Sequence, residues 1–117
     1  PGDDALKLGM EAYDQQDYQL ALDRLQEVLK NQPTHEGAIF YSGICQLLLE
    51  QDQNALISLK SFEQMAASEY YTPAQWYLGL AYLKMEDTQS ARKVLTRLQQ
   101  SGNGKYAVQA AELLKEF

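Results

Sequence analysis

The chain has 117 residues, which is enough for one domain and too few for two of ordinary size. Its 16 acidic and 10 basic side chains give a net charge of −6, which disfavours nucleic acid and anionic lipid because both bind cationic surfaces. One cysteine and one histidine exclude a disulfide framework and a zinc site rich in these residues.

Apolar residues recur at helical spacing from the beginning of the chain, as at Ala5, Leu8 and Ala12. Asp17 and Asp87 lie where a second helix would begin, and Asp is a favourable N-cap. Residues 101–104, with the sequence SGNG, interrupt the pattern before the last helix. The sequence predicts seven helices, at about residues 4–15, 18–31, 36–50, 53–67, 72–85, 88–100 and 105–116.

A repeat is visible in the spacing of small and apolar residues. Gly9, Gly43 and Gly79 are separated by 34 and 36 residues. The same two intervals separate three alanines and three leucines, namely Ala21, Ala55, Ala91 and Leu25, Leu59, Leu95. Each glycine precedes its alanine with a turn between them, which predicts an antiparallel helix pair whose helices approach closely where both side chains are small.

This pattern resembles the tetratricopeptide repeat (TPR), a helix–turn–helix unit of about 34 residues with the signature W-x2-L-G-x2-Y, then A-x3-F and P. The third repeat matches best, with residues 78–82 reading LGLAY and with Leu95 at the F position. The second repeat carries Ser42 and Gln46 at the L and Y positions, and Trp76 lies one residue beyond the signature tryptophan.

The resemblance implies an all-α fold, a right-handed α-solenoid of three TPR-like helix pairs plus a capping helix. Residues 1–117 are predicted to form a single domain, with repeats at about 2–35, 36–69 and 72–103 and the capping helix at about 105–117. The end of a helical array needs a helix with one polar face, and the last helix has an apolar stripe that includes Ala107, Ala110 and Leu114.

The resemblance also implies a non-enzymatic module that binds a peptide or helix of another protein in a concave groove lined by the first helix of each repeat. The candidate groove residues are Leu6, Met10, Tyr13, Phe40, Tyr41, Ile44, Trp76, Tyr77 and Leu80. These aromatic and aliphatic side chains favour an apolar or amphipathic segment as the ligand. Residues 1–58 hold 10 acidic and 3 basic side chains, which favours a basic segment.

Chaperone C-terminal tails are not expected as ligands. TPR domains that bind them hold two carboxylates with Lys, Asn and Arg at fixed groove positions. Those positions here carry Leu6, Met10, Tyr41, Pro73 and Tyr77, none of which is a charged donor.

No catalytic, metal-binding or cofactor-binding residue is assigned. His35 is predicted to be a solvated loop residue and Cys45 a small core residue, with no neighbour to activate its thiol. Two alternatives stay open: a homo-oligomerisation module, or the regulatory arm of an enzyme whose catalytic domain lies elsewhere in a longer protein.

The compartment is not determined by the sequence. No uncharged stretch is long enough for a membrane-spanning helix, so direct membrane insertion of this fragment is not expected. Resemblance to short bacterial TPR units places the chain either in the cytoplasm or at the cell envelope, with an anchor in preceding sequence as one alternative.

Overall fold

A computed structural model describes residues 2–102 and 104–117 of the chain. Within these residues there are seven α-helices and no β-strand, as predicted. The helices are α1 (Gly2–Asp14), α2 (Tyr18–Asn31), α3 (Glu36–Leu48), α4 (Asp52–Lys60), α5 (Tyr71–Lys84), α6 (Thr88–Gln100) and α7 (Lys105–Leu114). The predicted break at residues 101–104 is present, although Asn103 lies outside the described residues.

The end of α4 differs most from the prediction, which extended this helix to residue 67. The helix instead ends at Lys60 and continues as a 3₁₀ helix, Ser61–Gln64. The segment that leads into α5 contains three hydrogen bonds from an N–H to the carbonyl three residues earlier. They join Met65 to Phe62, Ser68 to Met65 and Tyr71 to Ser68, at 2.8–3.1 Å. This tighter winding buries the Phe62 side chain completely.

The chain forms two compact units, Pro1–Ser58 and Leu59–Phe117, here called unit 1 and unit 2. In unit 1, α2 packs against both α1 and α3. The core residues of this unit are Ala12, Ala21, Leu22, Leu25, Val28, Ala38 and Cys45. Gly9 brings α1 close to α2, because a Cβ added at this glycine would lie 3.3 Å from the Leu25 side chain.

In unit 2, α6 packs against both α5 and α7. Leu95 and Leu98 of α6 form a core with Ala110 of α7, and partly buried apolar residues surround it. Ala107 of α7 is also buried, while Lys105, Gln109 and Glu112 are exposed. The predicted apolar stripe of the last helix therefore faces the interior of unit 2.

Side chains cap the beginnings of α2, α3 and α6. The Asp17 and Asp87 carboxylates accept hydrogen bonds from the N–H groups of Leu20 and Ser90, at 3.2 and 3.1 Å, which confirms both predicted caps. Hydrogen bonds from the Ser90 side chain and backbone lower the pKa of Asp87. His35, predicted to be a solvated loop residue, is half-buried, and its Nδ1 accepts a hydrogen bond from the Ala38 N–H at 3.1 Å.

The turns after α1, α3 and α5 share one geometry. Each contains a residue in the left-handed region, Gln16, Glu50 or Glu86, with φ of 65°, 61° and 61°. The N–H of the next residue donates a hydrogen bond to the carbonyl five residues earlier. The pairs are Asp17–Ala12, Gln51–Gln46 and Asp87–Tyr82, at 2.8–2.9 Å. This is the Schellman arrangement that ends a helix, and it recurs here at the repeat spacing.

Glycine at these turns is expected to stabilise the protein. A side chain in the left-handed region is sterically unfavourable, so Glu86→Gly should raise the free energy of unfolding by about 0.5–1 kcal/mol after the entropy cost of glycine. Gln89→Gly, in the exposed first turn of α6, is the control and should lower the same quantity by less than the roughly 1 kcal/mol that glycine costs in a helix interior. Urea unfolding measures both, and a destabilised Glu86→Gly variant would contradict the turn geometry.

Candidate functional site

Four of the predicted groove residues form a half-exposed apolar surface in unit 1. Leu6, Met10 and Tyr13 lie on α1 and Tyr41 lies on α3, and all four are partly buried against the unit 1 core. We call these four residues the unit 1 face. Each side chain is anchored by the core on one side and retains accessible area on the other.

Edge-to-face ring contacts fix the aromatic part of this face. The Tyr13 ring lies 5.1 Å from that of Tyr41 and 5.8 Å from that of Tyr18, measured between centroids. The Phe40 ring lies 5.1 Å from that of Tyr41. Such contacts contribute about 0.5–1.5 kcal/mol each beyond area burial, and they restrict ring motion before any ligand binds.

Phe40 and Ile44 lie deeper than the unit 1 face. Their side chains are only 5% and 6% exposed, so they offer little area to a ligand. The Phe40 ring instead contacts the Tyr41 ring in an edge-to-face arrangement. The prediction that both residues line a groove stays a prediction.

The predicted groove residues of unit 2 lie on α5. Trp76, Tyr77 and Leu80 are each half-buried. Trp76 packs against the core formed by Leu95, Leu98 and Ala110, which couples it to α6 and α7. Part of its ring is therefore used inside unit 2, and the role of the three residues in binding stays a prediction.

Comparison with known proteins identifies the family. A tetratricopeptide repeat model matches residues 5–35 and 73–101, just over half of the chain. The chain belongs to the tetratricopeptide repeat family. The two matched TPR segments correspond to the first and third predicted repeats. A search of curated protein sequences gives no significant match.

Solved structures confirm the TPR fold. MamA (41-end) from Desulfovibrio magneticus RS-1 superimposes with a TM-score of 0.78 at 25% sequence identity. The match covers 86% of this chain and 55% of the MamA chain, so this chain spans little more than half of that fragment. The Sgt2 TPR domain from Aspergillus fumigatus gives 0.79 at 19%, covering 98% and 77%. The first TPR of Spaghetti, bound to the HSP90 peptide SRMEEVD, gives 0.78 at 15%, covering 98% and 91%.

The second repeat departs from the TPR signature through a polar interior. Ser42 and Gln46 are both buried. The Gln46 amide nitrogen lies 3.3 and 3.2 Å from the carbonyl oxygens of Ser42 and Asn54 and 2.8 Å from Ser58 Oγ. The amide is assigned in this orientation because its oxygen, in the same place, would face only acceptors. Hydrogen bonds of the Gln46 amide thus replace the apolar packing of the usual tyrosine. The buried Ser42 hydroxyl, at the usual leucine position, has no hydrogen-bond partner among the described residues.

Cys45 is a core residue, as predicted. Its side chain is fully buried, and this burial raises the pKa of the thiol to about 11. A thiol with this pKa remains protonated near neutral pH and is a poor nucleophile.

Gln75 was not among the candidate residues predicted from the sequence. Counting back from Leu78 and Gly79, this residue occupies the tryptophan position of the TPR signature. It is buried in unit 2, and its Nε2 has no hydrogen-bond partner among the described residues. The sequence does contain a signal for this position, because an amide stands where the TPR signature has a large apolar residue.

The described residues contain neither a membrane-spanning helix nor a cluster of metal-binding side chains. None of the helices in residues 2–102 and 104–117 combines the length and apolarity that crossing a bilayer requires. Across the same residues, no group of three or more His, Cys, Asp or Glu side chains is arranged to hold a metal ion.

Proposed function

We propose that this TPR chain is a non-enzymatic protein-interaction module whose unit 1 face binds an apolar or amphipathic segment of another protein. The observation that supports this most directly is the half-exposed Tyr13–Tyr41 pair beside Leu6 and Met10. Family membership supports the same role, because the first helices of TPR units usually contact the ligand.

The physical basis is a preformed apolar surface. Tyrosine buries a large area and loses few rotamers on binding, and ring contacts have already restricted Tyr13 and Tyr41. Leu6, Met10 and Tyr13 succeed one another at helical spacing along α1. A ligand helix with apolar residues at a matching spacing could therefore place several anchors at once.

Charge favours a ligand with basic flanking residues. Unit 1 spans ten acidic and three basic side chains, and Asp4 and Asp14 on α1 are both exposed. Their field should raise the association rate of a basic segment, and added salt should reduce that rate. The affinity itself is expected to come from the apolar anchors.

An acidic chaperone tail is not proposed as the ligand of this face. Spaghetti's first TPR holds an HSP90 peptide, but the likeness of this chain to it, at 15% identity, concerns the fold. In unit 1, the positions at which chaperone-binding TPR domains carry carboxylate-binding residues hold Leu6, Met10 and Tyr41. None of these side chains is a cation, and only the Tyr41 hydroxyl can donate a hydrogen bond to a carboxylate.

Peptides selected from a random displayed library should bind the wild type and lose affinity at least tenfold when Tyr13 is replaced by alanine. This loss reflects removal of a central aromatic anchor. Ile57→Ala is the matched control, since Ile57 is 63% exposed in unit 1 and lies outside the face. Isothermal titration calorimetry with one selected peptide measures both variants.

Equal losses in the two variants, or none in either, would contradict the proposal. Circular dichroism is the control that checks whether the Tyr13→Ala variant remains helical. If the mass in sedimentation experiments rises with concentration and Tyr13→Ala abolishes the rise, the occupant of the face is a second copy of the chain rather than a different protein.

A further inference from the structure

A cavity of about 110 Å³ lies within unit 2, between the beginning of α5 and the end of α6. Its lining residues are Tyr71, Thr72, Gln75, Arg97, Leu98 and Ser101. Because a water molecule occupies about 30 Å³ in the liquid, this space accommodates a group of carboxylate size. None of these residues belongs to the unit 1 face.

The wall of the cavity contains a buried donor with no partner. Gln75 is 4% exposed, and its Nε2 makes no hydrogen bond within the described residues. The TPR signature has tryptophan at this position, and a tryptophan side chain would occupy much of the space that the shorter amide leaves. The cavity thus arises where this chain departs from its family.

The other polar groups of the cavity also favour an acceptor. Arg97 forms no ion pair with any residue that the structure describes, and no acidic residue lines the cavity. The Ser101 hydroxyl already donates to the Leu98 carbonyl at 2.6 Å. The N-terminus of α5, with its partial positive charge, contributes Tyr71 and Thr72.

A shallow surface of α6 extends from the cavity. It is lined by Gln89, Arg92, Lys93, Thr96, Arg97 and Gln100, so Arg97 belongs to both. The Arg92 Cζ atom lies 5.2 Å from the centroid of the Phe117 ring. Lys93 also lines this surface, and the lining includes no acidic residue. This row of cations matches an acidic segment rather than the basic segment proposed for unit 1.

We propose that this cavity binds a carboxylate from an acidic segment of a polypeptide partner, through the Gln75 amide and the Arg97 guanidinium. A carboxylate has only acceptor oxygens, and a guanidinium and an amide can each donate to it. The proposal rests on the proposed function only for the polypeptide source of the carboxylate. Either a side chain or a chain terminus can supply it.

Nitrogen-15 NMR of the whole chain tests this site through the Gln75 side-chain amide and the Arg97 Nε–H signals. Three probes are acetyl-Ala-Ala-Ala with a free terminus, acetyl-Ala-Glu-Ala-amide and acetyl-Ala-Ala-Ala-amide. The first two should shift both signals and the third should not. The stronger of the first two identifies the source as a chain terminus or a side chain.

Variants separate the cavity from general attraction to α6. Gln75→Leu and Arg97→Gln should weaken carboxylate binding at least fivefold. Lys93→Gln removes the same charge as Arg97→Gln from α6 outside the cavity, and it should change binding less than twofold. Gln75→Trp should abolish binding by filling the space, and if that variant does not fold, Gln75→Leu decides.

Three results would overturn the proposal. Inorganic phosphate that shifts the signals as strongly as the carboxylates would indicate an adventitious ion only, and an equal effect of Lys93→Gln would indicate a nonspecific cationic surface. Absence of any shift in the wild type would indicate that the cavity holds water. Because these probes lack apolar anchors, each such failure leaves peptide binding at the unit 1 face unaffected.

Discussion

Phe62→Ala is expected to lower the free energy of unfolding by about 3–5 kcal/mol, the loss typical of a buried phenylalanine truncated to alanine. Phe62 is the largest completely buried side chain in the described part of the chain. Its ring lies 6.3 Å from that of Tyr70, measured between centroids. Removing it leaves a cavity between the 3₁₀ helix and the segment that leads into α5.

Urea unfolding followed by tryptophan fluorescence measures this loss where it occurs. Trp76 is the single tryptophan and lies in unit 2, the unit that contains Phe62. Val108→Ala is the control, since Val108 is largely exposed on α7, and it should change the free energy of unfolding by less than about 0.5 kcal/mol. A loss below about 1 kcal/mol for Phe62→Ala would show that the 3₁₀ helix does not place this ring in the interior.

Gly79→Leu is expected to destabilise unit 2 by about 3 kcal/mol through overpacking. A Cβ added at Gly79 would lie 2.8 Å from Leu95 Cδ2 and 3.0 Å from its Cγ, which is too close for unstrained contact. The rest of a leucine side chain would have to displace Leu95, which is fully buried in α6. The same fluorescence measurement reports the loss.

A second substitution identifies the cause of this loss. Leu95→Ala in the Gly79→Leu background should cost less than Leu95→Ala alone, because the two side chains compete for one space. Gly9→Ala is the milder counterpart in unit 1, with its added Cβ no closer than 3.3 Å to any side-chain atom. The gain in helix propensity of about 1 kcal/mol should offset that crowding. Strictly additive losses at Gly79 and Leu95 would contradict the close helix contact.

The helix pairs could be predicted because their contacts depend on local spacing. Gly9 and Leu25 meet in unit 1 as Gly79 and Leu95 meet in unit 2, and each pair is separated by the same 16 positions. The early end of α4 could not be predicted, because the sequence from 61 onward keeps a helical apolar pattern. The winding tightens at Ser61–Gln64, where the Phe62 side chain is completely buried, and such burial is not visible in the sequence.

Helical phase predicts which side chains share a face, but it does not predict how deeply each of them lies. Helical phase shows that Tyr41 and Ile44 share a face of α3, yet it does not show how far neighbouring elements cover each side chain. The structure leaves Tyr41 half-exposed and buries Ile44. The Gln75 cavity was missed for a related reason, since a missing tryptophan reveals a space only once the surrounding helices are in place.

NMR of the labelled chain with a peptide selected for binding to it would show directly whether the unit 1 face binds the ligand. We expect intermolecular contacts between the peptide's apolar residues and the side chains of Leu6, Met10, Tyr13 and Tyr41, with the largest shift changes on α1 and α3. Contacts confined to other surfaces, with these four side chains unchanged at saturation, would contradict binding at the unit 1 face.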